Sequence, residues 1–241
     1  MKISVCIAVY NGEKYIEAQL KSILIQLNPD DEVIISDDSS TDKTLDIIKS
    51  LKDERLTIIK NPNPRNLIFN FENALKHAKG DVIFMSDADD LWVTGRVEAM
   101  TKVLTTFDMA VCDLSIMDET EKIILPSYFK LANSGPGVIK NLIKNTYFGC
   151  CMAFNRKILE IALPFPKKVT HHDSWLAIVA DMFFKTKFID YQYTLYRKHP
   201  GNNSTAANIK SDKSLLQKLK YRYNTIRYIP MLLMRKIKSK A

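Results

Sequence analysis

The chain has 241 residues, 46% of them apolar and 26% charged, with a net charge of +8. That composition is ordinary for a soluble globular protein with a real core and excludes a chain disordered throughout. The charge is uneven: residues 210–241 carry ten Lys and Arg against one acid, Asp212, so the rest of the chain is left at about −1. The four cysteines, Cys6, Cys112, Cys150 and Cys151, form no C-x-x-C pair, which argues against a zinc knuckle or a redox motif. Met1-Lys2 runs straight into an apolar stretch without a cleavage pattern, and no apolar run is long enough to span a bilayer. A cytoplasmic protein with reduced thiols is expected.

In chain order, residues 3–10 (ISVCIAVY) are a β-branched apolar run that reads as a strand. Across 13–26, Ile16, Leu20, Ile23 and Leu24 fall on one helical side. Residues 31–36 form a second strand. A helix follows over 41–51, with Ser40 or Thr41 as its N-cap. Residues 56–60 are a third strand, and 67–78 a third helix closed by Gly80. A fourth strand (81–86) and a fourth helix (94–107) complete the series. Beyond it, 109–114 and 147–154 read as strands, with a turn around Asp118-Glu119. A helix over 173–184 and a late strand over 188–196 follow. Apolar strands separated by helices indicate parallel βαβ units, whose ligands bind at the carboxyl ends of the strands. A rim of polar residues is therefore expected there. The sequence provides Tyr10-Asn11-Gly12-Glu13, Asp37-Asp38-Ser39-Ser40, Asn61 to Asn66 with Arg65, and Asp87-Ala88-Asp89-Asp90 after the first four strands.

Asp87-Ala88-Asp89-Asp90 is the sharpest of these signals. Three carboxylates in four residues repel one another, whereas Mg2+ or Mn2+ takes oxygen ligands from one or two carboxylates plus substrate phosphates. The plainer reading is a capping cluster for the following helix. Asp37 can accept from a base N–H or a ribose hydroxyl, while its neighbours cap the second helix. His171-His172-Asp173-Ser174-Trp175 puts a carboxylate beside an aromatic, a setting suited to a general base; adjacent histidines point apart and would not share one ion. Residues 196–204 (YRKHPGNNS) put Arg197, Lys198 and His199 before a Gly/Asn turn, a loop able to close on a diphosphate or simply a basic surface turn.

SVCIAVYNGEKYI, ISDDSSTDKT, GDVIFMSDADDLW and HHDSW, in this order and spacing, resemble the family-2 glycosyltransferases of the GT-A fold over about residues 1–199. YRKHPGNNS is similar to the tail of bacterial rhamnosyltransferase-like members of polysaccharide biosynthesis. Ala8 stands where many members have Pro. The resemblance implies a GT-A-type, Rossmann-like α/β fold, a mixed, mainly parallel sheet flanked by helices; with the charge step it gives a catalytic domain over 1–209 and a basic helical tail over 210–241. It implies an inverting transferase that moves a sugar from a UDP- or dTDP-sugar to a saccharide or lipid-linked saccharide hydroxyl. Asp173 would be the base. Ala8, Tyr10, Glu13, Asp37, Arg65, Asp87, Ala88 and Arg197 would bind the nucleotide sugar, with Arg197 and His199 on a flexible loop over the diphosphate. Asp89 and His199 would hold Mg2+ or Mn2+. Asp90, Trp92, Gly149, Cys150 and Trp175 would face the donor sugar or the acceptor, although a buried strand cysteine is an equal reading of Cys150.

In the tail, Leu215, Leu216, Leu219, Tyr223 and Ile226 recur at near-helical spacing among basic residues, and Pro230 divides the segment into two helices. Two readings stand side by side: a basic amphipathic helix on the inner membrane surface, or a helix packed on the body with a solvated basic face. The tail lacks a nucleic-acid-binding module, so no nucleic-acid partner is expected. A nucleotidyltransferase is the rival enzyme, but Tyr10-Asn11-Gly12-Glu13 is neither a P-loop nor G-x-G-x-x-G. A non-catalytic binding module would be expected to lack Asp89 or Asp173, and both are present.

Overall fold

β1 (Ile3–Val9) is buried along its whole length, as a strand flanked by strands and covered on both faces must be. The structure, a computed structural model, describes residues 1–202 and 214–239. Asn203 and Ser204 of the expected loop, and residues 210–213 of the expected tail, lie outside them.

α1 (Ile16–Leu24) follows β1 after a turn in which the Tyr15 and Ile16 amides donate to Gly12 O. It therefore begins three residues later than the periodicity predicts. Ile16, Leu20 and Ile23 are fully buried, each contributing about 1.5–3 kcal/mol of apolar burial. β2 (Glu32–Asp37), α2 (Thr44–Ser50), β3 (Leu56–Lys60), α3 (Leu67–His77) and β4 (Val82–Ser86) continue the alternation. Asn66 caps α3, its side chain accepting from the Ile68 and Phe69 amides.

Two expected caps are wrong. α2 starts at Thr44, and the Ser40 and Thr41 hydroxyls instead reach Asn11 across the neighbouring loop. Gly80 does not close α3, whose C-cap is Ala78. A Cβ on Gly80 would lie 2.6 Å from Ser4 N, so the glycine is required by the close passage of β1.

β5 (Leu91–Trp92), α4 (Arg96–Leu104), β6 (Met109–Met117), β7 (Ile123–Leu125), α5 (Tyr128–Ala132) and α6 (Val138–Ile143) come next. A short 3-10 turn at Gly149–Cys151 leads into β8 (Met152–Asn155), so the strand expected over 147–154 is only its last part. α7 (Lys157–Ala162), α8 (His172–Phe183) and β9 (Thr186–Arg197) complete the body; α9 (Leu215–Ile226) and α10 (Ile229–Lys238) follow. Pro230 sits in the first turn of α10, where its missing N–H costs nothing.

The sheet order is β3-β2-β1-β4-β8-β6-β9-β5, with β7 on β6. β3, β2, β1 and β4 are parallel, β8 is antiparallel to both β4 and β6, and β5 runs antiparallel to β9. The sheet is thus mixed and mainly parallel, as expected. Among the described residues no helix is long and apolar enough to cross a membrane.

Candidate active site

The carboxyl ends of β1, β2 and β3 carry three non-glycine residues with positive φ: Asn11 at 48°, Ser39 at 67° and Arg65 at 61°. Left-handed backbone costs about 1–3 kcal/mol at each such residue and survives only where neighbours enforce it. Here they do. The Asn11 amide donates to Ser40 Oγ, the Thr41 amide to Asn11 Oδ1, and the Arg65 amide to the buried Asp38 carboxylate. The Asp37 carboxylate accepts from the Ser39 and Ser40 amides and borders an open cleft of about 330 Å3, lined also by Leu45, Ile58, Ile59 and Lys60. Ala8 is buried at the end of β1, whereas Tyr10 is exposed. Glu13 does not face the cleft: its carboxylate accepts from the Lys43 amide and steadies the start of α2.

Asp87, Asp89 and Asp90 follow β4. The fourth helix begins only at Arg96 with Gly95 as N-cap, so these acids are not its capping cluster. Gln19, fully buried on α1, donates to Ser86 Oγ and to Asp87 O, and the Ser22 hydroxyl accepts from the Trp92 amide. α1 therefore fixes both ends of the acidic turn. Burial, then the charges of Asp89 and Asp173, push the Asp87 carboxyl up to about 7. Asp90 is raised well above its ordinary value by burial and by its two neighbours. One Asp90 oxygen accepts from the Arg197 amide; the other is buried without a partner. Asp87, Asp90 and the Cys150 thiol each bring one ligating atom within 4.8 Å of the others.

Beneath this cluster lies a residue that the sequence does not single out. Arg96 is fully buried, donates to Thr194 Oγ1 and Cys150 O at 2.6 Å each, and stacks 4.1 Å over the Trp92 ring. Its charge partly offsets those of Asp87 and the Cys150 surroundings. A cation in the first turn of a helix reads as a solvated end, so only its place under the acids reveals it. Trp92 is correspondingly not a sugar platform: it is buried between Arg96 and Phe84.

Asp89 faces the loop after β9. His199 Nε2 lies 2.8 Å from Asp89 Oδ2, and Asn202 Nδ2 donates to the same oxygen at 3.4 Å. A carboxylate and an imidazole converging at the rim are a donor set that fits a divalent ion and leaves further positions for diphosphate oxygens. Arg197 is not on a flexible loop. It ends β9, is buried, and donates through Nε to Asp89 O and through Nη2 to Glu121. Tyr15 supports both residues, with the Arg197 guanidinium 4.8 Å and the His199 ring 5.0 Å from its ring; the sequence gives no hint of this role.

Asp173 lies in the first turn of α8. Its Oδ1 accepts from the Ser174 amide and hydroxyl. A Cβ on Gly149 would meet His172 Nε2 at 2.6 Å and Asp173 Cβ at 3.7 Å, so the glycine lets the turn before β8 press against the base. His172 is buried on Phe71 and burial lowers it to about 4, so its ring is neutral. Two more of the residues expected at the sugar are buried, as Trp92 is. Trp175 is fully buried and its N–H donates to Ala162 O. Cys150 lies buried under the acids, the alternative that the sequence left open.

The mixed, mainly parallel sheet, with acids at the ends of its parallel strands, has the GT-A fold. The chain belongs to glycosyl transferase family 2, whose family model matches residues 4–161. It is 32% identical over 223 residues to the dTDP-rhamnosyl transferase RfbG of Shigella flexneri, across 84% of this chain and 74% of that protein. It is 41% identical over 104 residues to the UDP-Glc:alpha-D-GlcNAc-diphosphoundecaprenol beta-1,3-glucosyltransferase WfaP of Escherichia coli, across 43% of this chain and 41% of WfaP. Among solved structures, the mannosyltransferase PcManGT from Pyrobaculum calidifontis, in complex with GDP-Man and Mn2+, has the same fold: TM-score 0.63 at 21% identity, covering 97% of this chain and 72% of that one. The protein is a glycosyltransferase that uses a nucleotide-sugar donor.

Proposed function

We propose that this enzyme transfers a sugar from a UDP- or dTDP-sugar to a hydroxyl of a saccharide or lipid-linked saccharide, with inversion at the sugar carbon, in cell-surface polysaccharide synthesis. One observation carries the reading. Asp87 and Asp90 converge with the Cys150 thiol, ligating atoms within 4.8 Å, and Asp173 stands against the same turn, where a Cβ on Gly149 would lie 3.7 Å from Asp173 Cβ. One candidate base without a second carboxylate as nucleophile suits a single displacement. Ser174 occupies Oδ1 of Asp173, which leaves Oδ2 to take the acceptor hydroxyl proton as that oxygen attacks the sugar carbon.

Asp37 and Asp87 hold the base and ribose, flanked by Ala8, Tyr10, Arg65 and Ala88. Asp89 and His199 hold Mg2+ or Mn2+, which when bound supplies Lewis-acid stabilisation of the leaving diphosphate. Arg197 holds the Asp89 carbonyl through Nε and the Asp90 carboxylate through its backbone N–H. The Mn2+ and GDP-Man bound by PcManGT support divalent-metal use, and the donors and lipid-linked acceptor named for RfbG and WfaP support the substrate classes. With such an acceptor the enzyme works in the cytoplasm, peripheral at the inner face of the membrane, with its basic tail towards the lipid.

A thermal-shift panel of UDP- and dTDP-sugars with Mn2+ or Mg2+, repeated with chelator, tests this. One donor class should stabilise the protein, and the shift should vanish with chelator and in Asp89→Ala. A shift that survives both would remove the metal role; no shift with any donor would remove the donor assignment.

A further inference from the structure

The C-terminal helices are fixed to the body by cations that point inward. Arg222 of α9 donates to the Leu142 and Ile143 carbonyls at 3.0 Å each, closing the end of α6. Arg235 of α10 donates to Ile161 O, Ala162 O and Pro164 O at 2.9, 3.1 and 2.9 Å, at the end of α7. Leu232 beside it is fully buried. A free amphipathic tail would keep its apolar side for a partner and its cations for solvent. Here Leu232 and two arginines serve the body.

What remains outward is largely apolar. On α9, Leu216, Leu219, Tyr223 and Ile226 are exposed at i, i+3, i+7 and i+10, one stripe of the helix, with Leu216 79% exposed. On α6, whose end Arg222 grips, Ile139 and Ile143 stand one turn apart, 75% and 66% exposed. Leu233, Met234 and Ile237 continue the pattern on α10. So many large apolar side chains on adjoining elements exceed the scattered exposure normal for a monomer surface. Residues 214–239 contain no acid, and Lys220 and Lys238 are exposed beside the stripes, with Lys144 at the end of α6. Apolar side chains interleaved with cations and free of acids match a surface that is apolar inside and anionic at its headgroups.

This face is also tied to the catalytic helix. The Tyr221 ring of α9 lies 5.4 Å from the His171 ring at the start of α8, and the charge of Asp173 adds to burial in raising the Tyr221 hydroxyl. We propose that the outward faces of α6 and α9, continued by α10, form one rigid docking surface for an anionic phospholipid bilayer, and that it sets the height of Asp173 above that bilayer. The inference rests on the lipid-linked acceptor reading and extends it: the surface is composite, and part of it belongs to the body instead of the tail.

The test is flotation of the full chain with vesicles of phosphatidylcholine and phosphatidylglycerol, against vesicles of phosphatidylcholine alone. Binding should be at least about tenfold tighter to the anionic vesicles and fall with salt. Two double variants divide the surface: Leu219→Ser with Tyr223→Ser on α9, and Ile139→Ser with Ile143→Ser on α6. Each should weaken vesicle binding at least about tenfold, with unchanged thermal unfolding and an unchanged metal-dependent shift by UDP or dTDP. An α6 variant that binds as wild type would overturn the composite surface. So would a full chain that does not float, or one that forms a dimer disrupted by the same substitutions. Because the nucleotide shift is read in the same samples, lost docking with an intact shift leaves the transferase reading standing, and an absent shift with intact docking does the reverse.

Discussion

Asp173 commits one oxygen to Ser174 and has the other left for chemistry, so removing its basicity should separate binding from transfer. Asp173→Asn is expected to lower transfer by about 10²–10⁴-fold, the usual weight of a general base. Donor binding should be kept or slightly tightened, since the charge of Asp173 raises Asp87. Calorimetry that finds donor binding lost would move Asp173 out of the base role. His172 beside it gives a pH signature. Burial lowers its folded value from 6.5 to about 4. Below 6.5 the unfolded chain takes up a proton that the folded ring refuses, so this contribution is full at neutral pH and is lost as pH falls towards 4. Asp87 opposes it: raised from 3.8 to about 7, it retains a proton in the folded state, and its contribution falls as pH rises through that window. Comparing wild type with His172→Gln cancels Asp87. Urea unfolding should show the wild-type advantage larger by about 2 kcal/mol at about pH 7 than at about pH 5; a constant difference would mean that His172 is not buried neutral. Asp37 and Asp89 stand out in the sequence as acids that follow apolar strand runs, and Asp173 as an acid beside an aromatic. It hides Arg96 and Tyr15, whose roles depend on what lies above them in space. It misplaces Trp92 and Trp175, because an aromatic next to an acid looks the same whether its ring faces a cleft or the core.

Between elements, the site depends on how closely the turn at Gly149–Cys151 approaches the start of α8. Gly149→Ala tests that approach. The added Cβ meets His172 Nε2 at 2.6 Å, and stacking on Phe71 restrains the ring from retreating. The substitution is expected to cost about 1–3 kcal/mol of stability, as overpacking does. It should lower kcat more than it raises KM for the donor, because Asp173 moves with the helix while the acidic turn, clamped by Gln19 and Arg197, does not. An unchanged kcat would show that α8 absorbs the methyl without moving the base. The same contrast explains which elements are readable. β1 to β4 are almost continuous apolar runs, and α1 buries Ile16, Leu20 and Ile23 at helical spacing. From 113 to 162 the chain is organised by polar groups instead. Asp113 accepts from Ser127, Phe129 and Gln192, and Asp181 gathers Gly137, Asn141 and Tyr147. Such networks join residues far apart in sequence and leave no periodicity, so α5 and α6 escape notice; α7 escapes because six residues are too few to show one.

At the scale of the whole molecule, the charge step at residue 210 suggests a boundary between a catalytic domain and an independent tail, yet the packing couples the two. α10 fills a socket on α7 with Leu232, and Arg222 and Arg235 supply donors to five carbonyls that end α6, α7 and the turn after it. Carbonyls at helix ends have no partner within their own helix, so removing these guanidinium groups leaves them to water or to nothing. Composition cannot reveal this, because an inward arginine and a solvated one are the same letter. A chain ending at residue 209 is therefore expected to be less stable than the full chain by at least about 3 kcal/mol, from the lost leucine burial and the charge-assisted hydrogen bonds. It should unfold at a lower urea midpoint. Donor affinity should change little, since the partners of Asp37, Asp87 and Asp89 come from α1, the loop after β2 and the end of β9 with its loop, but transfer should fall because Tyr221 no longer adjoins His171 at the start of α8. Equal urea midpoints and equal transfer would establish residues 1–209 as a domain that stands alone.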